Sequence, residues 1–349
     1  MLDNTFVFDA VIHVVDWSIE AMKSDASFRD PEVQAEMMRL SKLLTGGVFE
    51  ADVSKINVND ALKGSREANY DVMFRNAPTD MGIVGSLPFG PGTASDLYAD
   101  PEHFIKVNHG FAAAYPQRCI FSGGVEPTAA GVDYAKESIK LQAHELGAKM
   151  MKFYPFYWKA DDRELGYPLY ERCQEVGINI LQFHMCLPGD ASHDVEIQRP
   201  NYLQRVARDF PDMQIIIHHP MPLYFDEVVN IAARFKNIHL LISPMVQLSL
   251  IRPRLIQKLL GELLLSVGSD RLMYGSEGAV SGNPTSFLRA FKNMQIPEDL
   301  QEGYGFPALT DKDKEKILGL NLAKLMNIDV EAKKRELAVL DASEGKGYD

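Results

Sequence analysis

The sequence predicts an α/β fold, a (β/α)8 TIM barrel, and three observations carry that reading. Eight short β-branched or apolar runs are spaced along the 349 residues, stretches with helical spacing lie between them, and proline and glycine punctuate the joins. Eight is also the number at which parallel strands close into a ring filled by their own side chains.

The first run, Phe6 to Val15, opens the chain, and a helix follows in which Val33, Met37, Leu40 and Leu44 recur at steps of four, three and four behind Pro31. Thr45 to Tyr70 exceeds the length of an ordinary connection and reads as an insertion near 45–70. The second run, Met81 to Leu87, leads into a Gly/Pro-rich loop, PFGPGTASDLYAD, over 88–100. Pro101 then marks a helix start, and Cys119 to Val125 is the third run. Ala135, Ile139, Ala143 and Leu146 form the next helical stripe, closed by Gly147, before the fourth run, Met150 to Phe153. Pro168 and Gly177 bracket the following helix, and Asn179 to Phe183 is the fifth run. Pro200 opens the helix before Gln214 to Ile217, and Ile238 to Ile242 and Leu272 to Tyr274 complete the set. Each run is apolar on both faces, as strands between a core and a helical layer should be. Glu331 to Asp349 reads as a charged helix with a frayed tail, so that residues 1–349 form a single barrel domain.

Composition excludes several functions. With 36 Lys and Arg against 48 Asp and Glu, the net charge is −12, and no basic stripe interleaved with aromatics is present. Nucleic acid and anionic membranes are therefore poor partners. The N-terminal run is broken by Asp9, His13 and Asp16 and carries an acid where a leader needs Lys or Arg. Ile238 to Ile251 is interrupted by Ser243, Pro244, Gln247 and Ser249, well short of the roughly 20 apolar residues that cross a bilayer. The expected location is cytoplasmic. Cys119, Cys173 and Cys186 lack CxxC spacing and read as small buried apolar residues.

Polar residues at the C-terminal ends of strands carry the chemistry of barrels, because a common strand direction brings those ends to one rim. His13 lies in the first strand, His184 follows the fifth and His219 the sixth, while Glu277 follows the eighth and Lys152 ends the fourth. Imidazole nitrogen with carboxylate oxygen suits one divalent transition metal, zinc before iron or manganese. Each residue alone also fits a structural role, a buried hydrogen-bonded His, a helix-capping Glu or an ion-paired Lys; their coincidence at separate strand ends points to a site. His218 neighbours His219, and period-two alternation predicts that only one of them, His219, looks into the barrel. His103, His109, His144, His193 and His239 read as structural. Tyr154, Phe156, Tyr157 and Trp158 follow the fourth strand and could wall a substrate or cover the barrel top.

The order of blocks resembles the amidohydrolase-related family of metal-dependent hydrolases and decarboxylases of aromatic and muconate-type acids. Its first strand reads roughly D-x-H-x-H, and here Asp9-Ala10-Val11-Ile12-His13 stands in that place; GAKMMKFYP, PLYERCQEVGINILQFH, FPDMQIIIHHP, RLMYGSEG and LTDKDKEKILGLNLAKLMNI resemble its later blocks. The resemblance implies a metal held by His13, His184 and Glu277, with His219 and Glu277 in proton transfer. It further implies a small-molecule carboxylate substrate met by Lys152, Tyr154 and Trp158. Two departures stand out. Val11 occupies a ligand position, and Glu277 stands where the family has Asp. The expected activity is hydrolysis or decarboxylation of a small organic acid. The alternatives are an altered partner subunit of a heteromeric, even oxygen-using, enzyme, and a Schiff-base lyase acting through Lys152. Assembly is expected as a homo-oligomer or with a related subunit.

Overall fold

Eight strands run parallel and pair in chain order: β1 (Phe8–Ile12), β2 (Met81–Gly85), β3 (Cys119–Val125), β4 (Met151–Phe153), β5 (Ile180–His184), β6 (Gln214–His218), β7 (Ile238–Leu241) and β8 (Leu272–Met273). The computed structural model describes residues 2, 4–14, 65–85, 102–186, 194–221, 223–278 and 282–346. The ring closes where Ile12 bridges Gly278 in parallel and the Ala10 amide donates to the Tyr274 carbonyl at 3.0 Å. The chain is thus a (β/α)8 barrel, with all eight strands inside the predicted runs to within a few residues.

Alternation along each strand sorts side chains into two layers. Met151 and Phe153 join the main hydrophobic cluster with Tyr170 and Phe183, between strands and helices. Val11, Ile83, Met150, Ile216 and Leu241 belong to a second cluster. Lys152, between Met151 and Phe153, therefore turns away from the helical layer, toward His13. Close strand packing also selects residues: a Cβ on Gly82 would collide with the Ile12 side chain.

The helices include His103–Ala114, Val132–His144, Tyr167–Glu175, Phe225–Arg234 and Pro253–Ser266. Pro168 and Pro200 sit in first turns as predicted, while the stripe at 33–44, Pro31, Pro101, His193 and the 88–100 loop lie outside the described residues. Of the 45–70 stretch, Arg66–Tyr70 is helical. Val330–Glu344 is a helix held to the barrel by Arg118, which immediately precedes β3. No helix among the described residues is long and apolar enough to cross a membrane, and the three cysteines are buried and unbridged.

Candidate functional site

His13, the first residue past β1, is held at both ring nitrogens. Its Nδ1–H donates to the Gly85 carbonyl at 2.8 Å, which leaves Nε2 bare to accept from the Lys152 ammonium at 3.3 Å. Glu277 Oε2 lies 3.7 Å from the same Nε2. His184 ends β5 and stacks on Tyr154 at 5.1 Å, with Phe156 edge-on at 5.2 Å. Lys152 Nζ stands 4.8 Å from the centre of the Tyr154 ring.

His218 ends β6 and touches Glu277 Oε1 through Nε2, whereas its buried Nδ1 has no hydrogen-bond partner among the described residues. His219 donates from Nδ1 to the Ser243 carbonyl at 3.0 Å, and its bare Nε2 faces Glu277 Oε1 at 3.6 Å. Ser243 Oγ donates to that same oxygen at 3.0 Å. The prediction that only one of the paired histidines looks inward is corrected here. Their rings stack at 3.7 Å beside Glu277 because His219 has φ of +67°, which breaks strand alternation after His218. Glu277 too has φ of +60°. Left-handed backbone at two non-glycine residues costs on the order of 1–3 kcal/mol each and tends to cluster at functional sites.

Asp9, which sequence reasoning left without a role, ties this arrangement together. Its Oδ1 accepts from the amides of Val11 at 3.0 Å and Ser276 at 2.9 Å, joining β1 to the turn that carries Glu277. Burial pushes its carboxyl up to about 7, against the opposing pull of the Ser276 hydrogen bonds. Val11 offers nothing polar: it is 2% exposed, and a Cβ on Gly275 would come within 2.7 Å of its Cγ1.

Electrostatics set the protonation states. Burial, assisted by Lys152, lowers His13 to about 3 although Glu277 opposes the shift. Burial also holds His184 and His218 well below the usual imidazole range and lowers His219. Burial would raise Glu277, but His218, His219 and Lys152 outweigh it and hold the carboxyl well below its usual value. Burial depresses Lys152 to about 8, with Glu277 pulling it back up. Near neutrality the site therefore presents neutral imidazoles around an ionised carboxylate, the states in which these groups bind metals. His184, His218 and His219 each offer one ligand atom, all within 4.8 Å of one another.

The structure thus brings His13, Lys152, Tyr154, His184, His219 and Glu277 to one rim and adds His218, Ser243 and Asp9. Trp158 packs its ring edge-on against Phe153 at 6.3 Å, and its N–H donates at 3.3 Å to Glu126, the first residue past β3. His109 packs on Phe121, and His239 bonds Gln214 at 2.9 Å, both away from the rim. A cavity of about 630 Å³ opens at the opposite end, among the strand starts at Cys119, Asn179 and Gln214. The chemistry lies at the end it does not reach, where the connections at 86–101, 187–193 and 279–281 fall outside the described residues.

A parallel barrel with imidazoles and a carboxylate converging at its C-terminal rim defines the class, a (β/α)8 barrel with a candidate metal site at its strand ends. The amidohydrolase family profile matches residues 92–328, and the chain belongs to that family. Similar solved structures include an uncharacterised TIM-barrel protein from Bordetella bronchiseptica, 19% identical, covering 92% of this chain and 98% of that one with a TM-score of 0.59. A 5-carboxyvanillate decarboxylase from Novosphingobium aromaticivorans, solved with bound manganese and 3-methoxy-4-hydroxy-5-nitrobenzoic acid, is 15% identical over 93% and 98% of the two chains, TM-score 0.56. A 4-oxalomesaconate hydratase from Rhodopseudomonas palustris is 16% identical over 96% and 100%, TM-score 0.53. At these identities the likeness is one of fold. No curated protein matches the sequence.

Proposed function

We propose that this chain is a metal-dependent enzyme that decarboxylates or hydrolyses a small organic carboxylate. One observation carries the reading: the bare Nε2 of His219 and the ionised Glu277 carboxylate face each other at 3.6 Å, lone pair against lone pair. Such an arrangement calls for a shared cation. The donors, His184 and Glu277 among them, fit a divalent transition ion, zinc first and iron or manganese next. The manganese-bound decarboxylase of the same fold supports the class of reaction.

When bound, the metal supplies Lewis-acid polarisation of a substrate carboxylate or carbonyl, or of water. The chain's own residues do the rest. His219 Nε2 and Glu277 would hold the ion, the Lys152 ammonium pairs with the substrate carboxylate, and Tyr154 and Phe156 wall its apolar part. Val11 favours a second reading, a subunit that supports a related catalytic chain; activity from this chain expressed alone would remove it.

The test pairs elemental analysis of purified wild type and His184→Ala with CO2 release and hydrolysis assays on aromatic and unsaturated carboxylic acids. Wild type should carry a divalent metal that His184→Ala loses along with turnover. Wild type that stays metal-free even after incubation with zinc, manganese and ferrous ions overturns the proposal.

A further inference from the structure

Val11 removes a ligand from β1, and the rim shows where a replacement stands. We infer that β6 supplies it: the ion is held by His184 and by both members of the adjacent pair His218-His219, beside Glu277, while His13 is not a ligand but the partner of Lys152. The inference rests on the metal-dependent reading above and names that site's ligands.

The argument is a contrast in how ring nitrogens are satisfied. His13 has a protein partner at each: the Gly85 carbonyl at 2.8 Å on Nδ1 and the Lys152 ammonium at 3.3 Å on Nε2. It needs nothing more. The β6 pair lacks such partners. His219 is fixed by Ser243 into the tautomer whose Nε2 lone pair meets a carboxylate oxygen. For His218 neither tautomer works with protein partners alone. With the proton on Nε2 to serve Glu277, Nδ1 is a buried acceptor without a donor; with the proton on Nδ1, a bare Nε2 meets the carboxylate. A cation between the β6 rings and Glu277 relieves the opposed lone pairs at both Nε2 atoms, as the Lys152 ammonium already does where His13 Nε2 stands 3.7 Å from Glu277 Oε2.

Distance and backbone agree. The ligand atoms of His184, His218 and His219 lie within 4.8 Å of one another, so modest ring movement brings them to the roughly 3.4 Å that separates nitrogens on a tetrahedral zinc ion. Neither His13 nor Glu277 is a member of that group, and of the two only His13 has its ring nitrogens taken by the Gly85 carbonyl and the Lys152 ammonium. The left-handed turn at His219, φ of +67°, is what puts two sequence neighbours on one side of the sheet, and Glu277 reaches them from a turn of the same kind. A longer Glu in place of Asp also fits an ion displaced from β1 toward β6.

Zinc- and cobalt-loaded full-length protein tests this with readouts independent of turnover: metal per chain, zinc affinity against a competing chelator, and the visible absorption of bound Co(II). His218→Ala and His219→Ala should each weaken zinc binding at least tenfold and change the Co(II) spectrum, whereas His13→Gln should keep both affinity and spectrum. His218→Gln replaces the alanine variant if that fails to fold, as judged by far-UV circular dichroism. Loss of metal in His13→Gln with retention in the β6 variants overturns the inference and leaves the metal-dependent reading standing. A wild type that binds neither ion overturns both.

Discussion

Two buried ionic clusters sit at opposite ends of this barrel, and they are built on opposite principles. Around Arg118, just before β3, every guanidinium nitrogen has a complement. Nε donates to the Tyr70 hydroxyl at 2.9 Å, Nη1 to the Asp80 carbonyl at 3.2 Å and Nη2 to the Asp341 carboxylate, while Tyr70 donates to Glu344 at 2.7 Å. At the other rim, bare imidazole nitrogens face a carboxylate and two residues hold left-handed backbone. A cluster that satisfies itself fastens the fold. One that leaves lone pairs opposed is arranged for a guest.

The largest effect that could break this comparison is at Arg118. Truncation to Ala strands the Asp341 carboxylate in a buried place, a loss of about 3–5 kcal/mol for such pairs. Urea unfolding of Arg118→Ala should show a drop of that order, with metal per folded chain unchanged. Replacing both partners, Arg118→Met with Asp341→Leu, should recover most of it, since the cost lies in the stranded charge. An unchanged midpoint in the single variant, or metal lost alongside stability, would merge the two clusters into one.

Much of this was legible in the sequence, and the failures have physical causes. Strands buried on both faces read as continuous apolar runs, so all eight were found, and strand direction then gathered His13, Lys152, His184, His219 and Glu277 at one rim. The strands β5 and β6 extend one residue past the predicted runs, because a polar His ends a hydrophobic run without ending a ladder. His218 was assigned to the outer face by alternation, which assumes extended backbone; a positive φ at His219 is invisible in residue types. The Arg118–Asp341 pair spans 223 residues, and nothing local marks either partner.

Asp9 sharpens the comparison by acting at the functional rim through stability. Its carboxyl is pushed from 3.8 up to about 7 by burial. A raised acid pKa favours the protonated folded form, so the contribution is full below about 4 and is lost as pH rises through 7. Between pH 5 and 8 the linkage amounts to on the order of 3 kcal/mol. Asp9→Asn keeps the acceptor for Val11 and Ser276 without the charge. Its unfolding free energy relative to wild type should therefore improve by that order between the two pH values, read from urea titrations at each. A difference that stays flat would mean Asp9 is ionised throughout, held by charge from the site.

The smallest expected effect is at Lys152, and it separates substrate binding from the metal. Burial lowers its ammonium to about 8, so the positive charge is present at neutrality and is lost as pH rises past that value. An ammonium that pairs with a substrate carboxylate then gives a KM that climbs above pH 8 while kcat changes less. Lys152→Met should raise KM at pH 7 by about 10- to 100-fold, the 1.4 to 2.7 kcal/mol of one charge-assisted contact, and should flatten its pH dependence. Metal content should be unaltered, because Lys152 meets the rim through His13 Nε2 and the Tyr154 face. A kcat that falls with KM unchanged would instead place Lys152 in proton transfer, and metal lost from Lys152→Met would draw it into the ion's own surroundings.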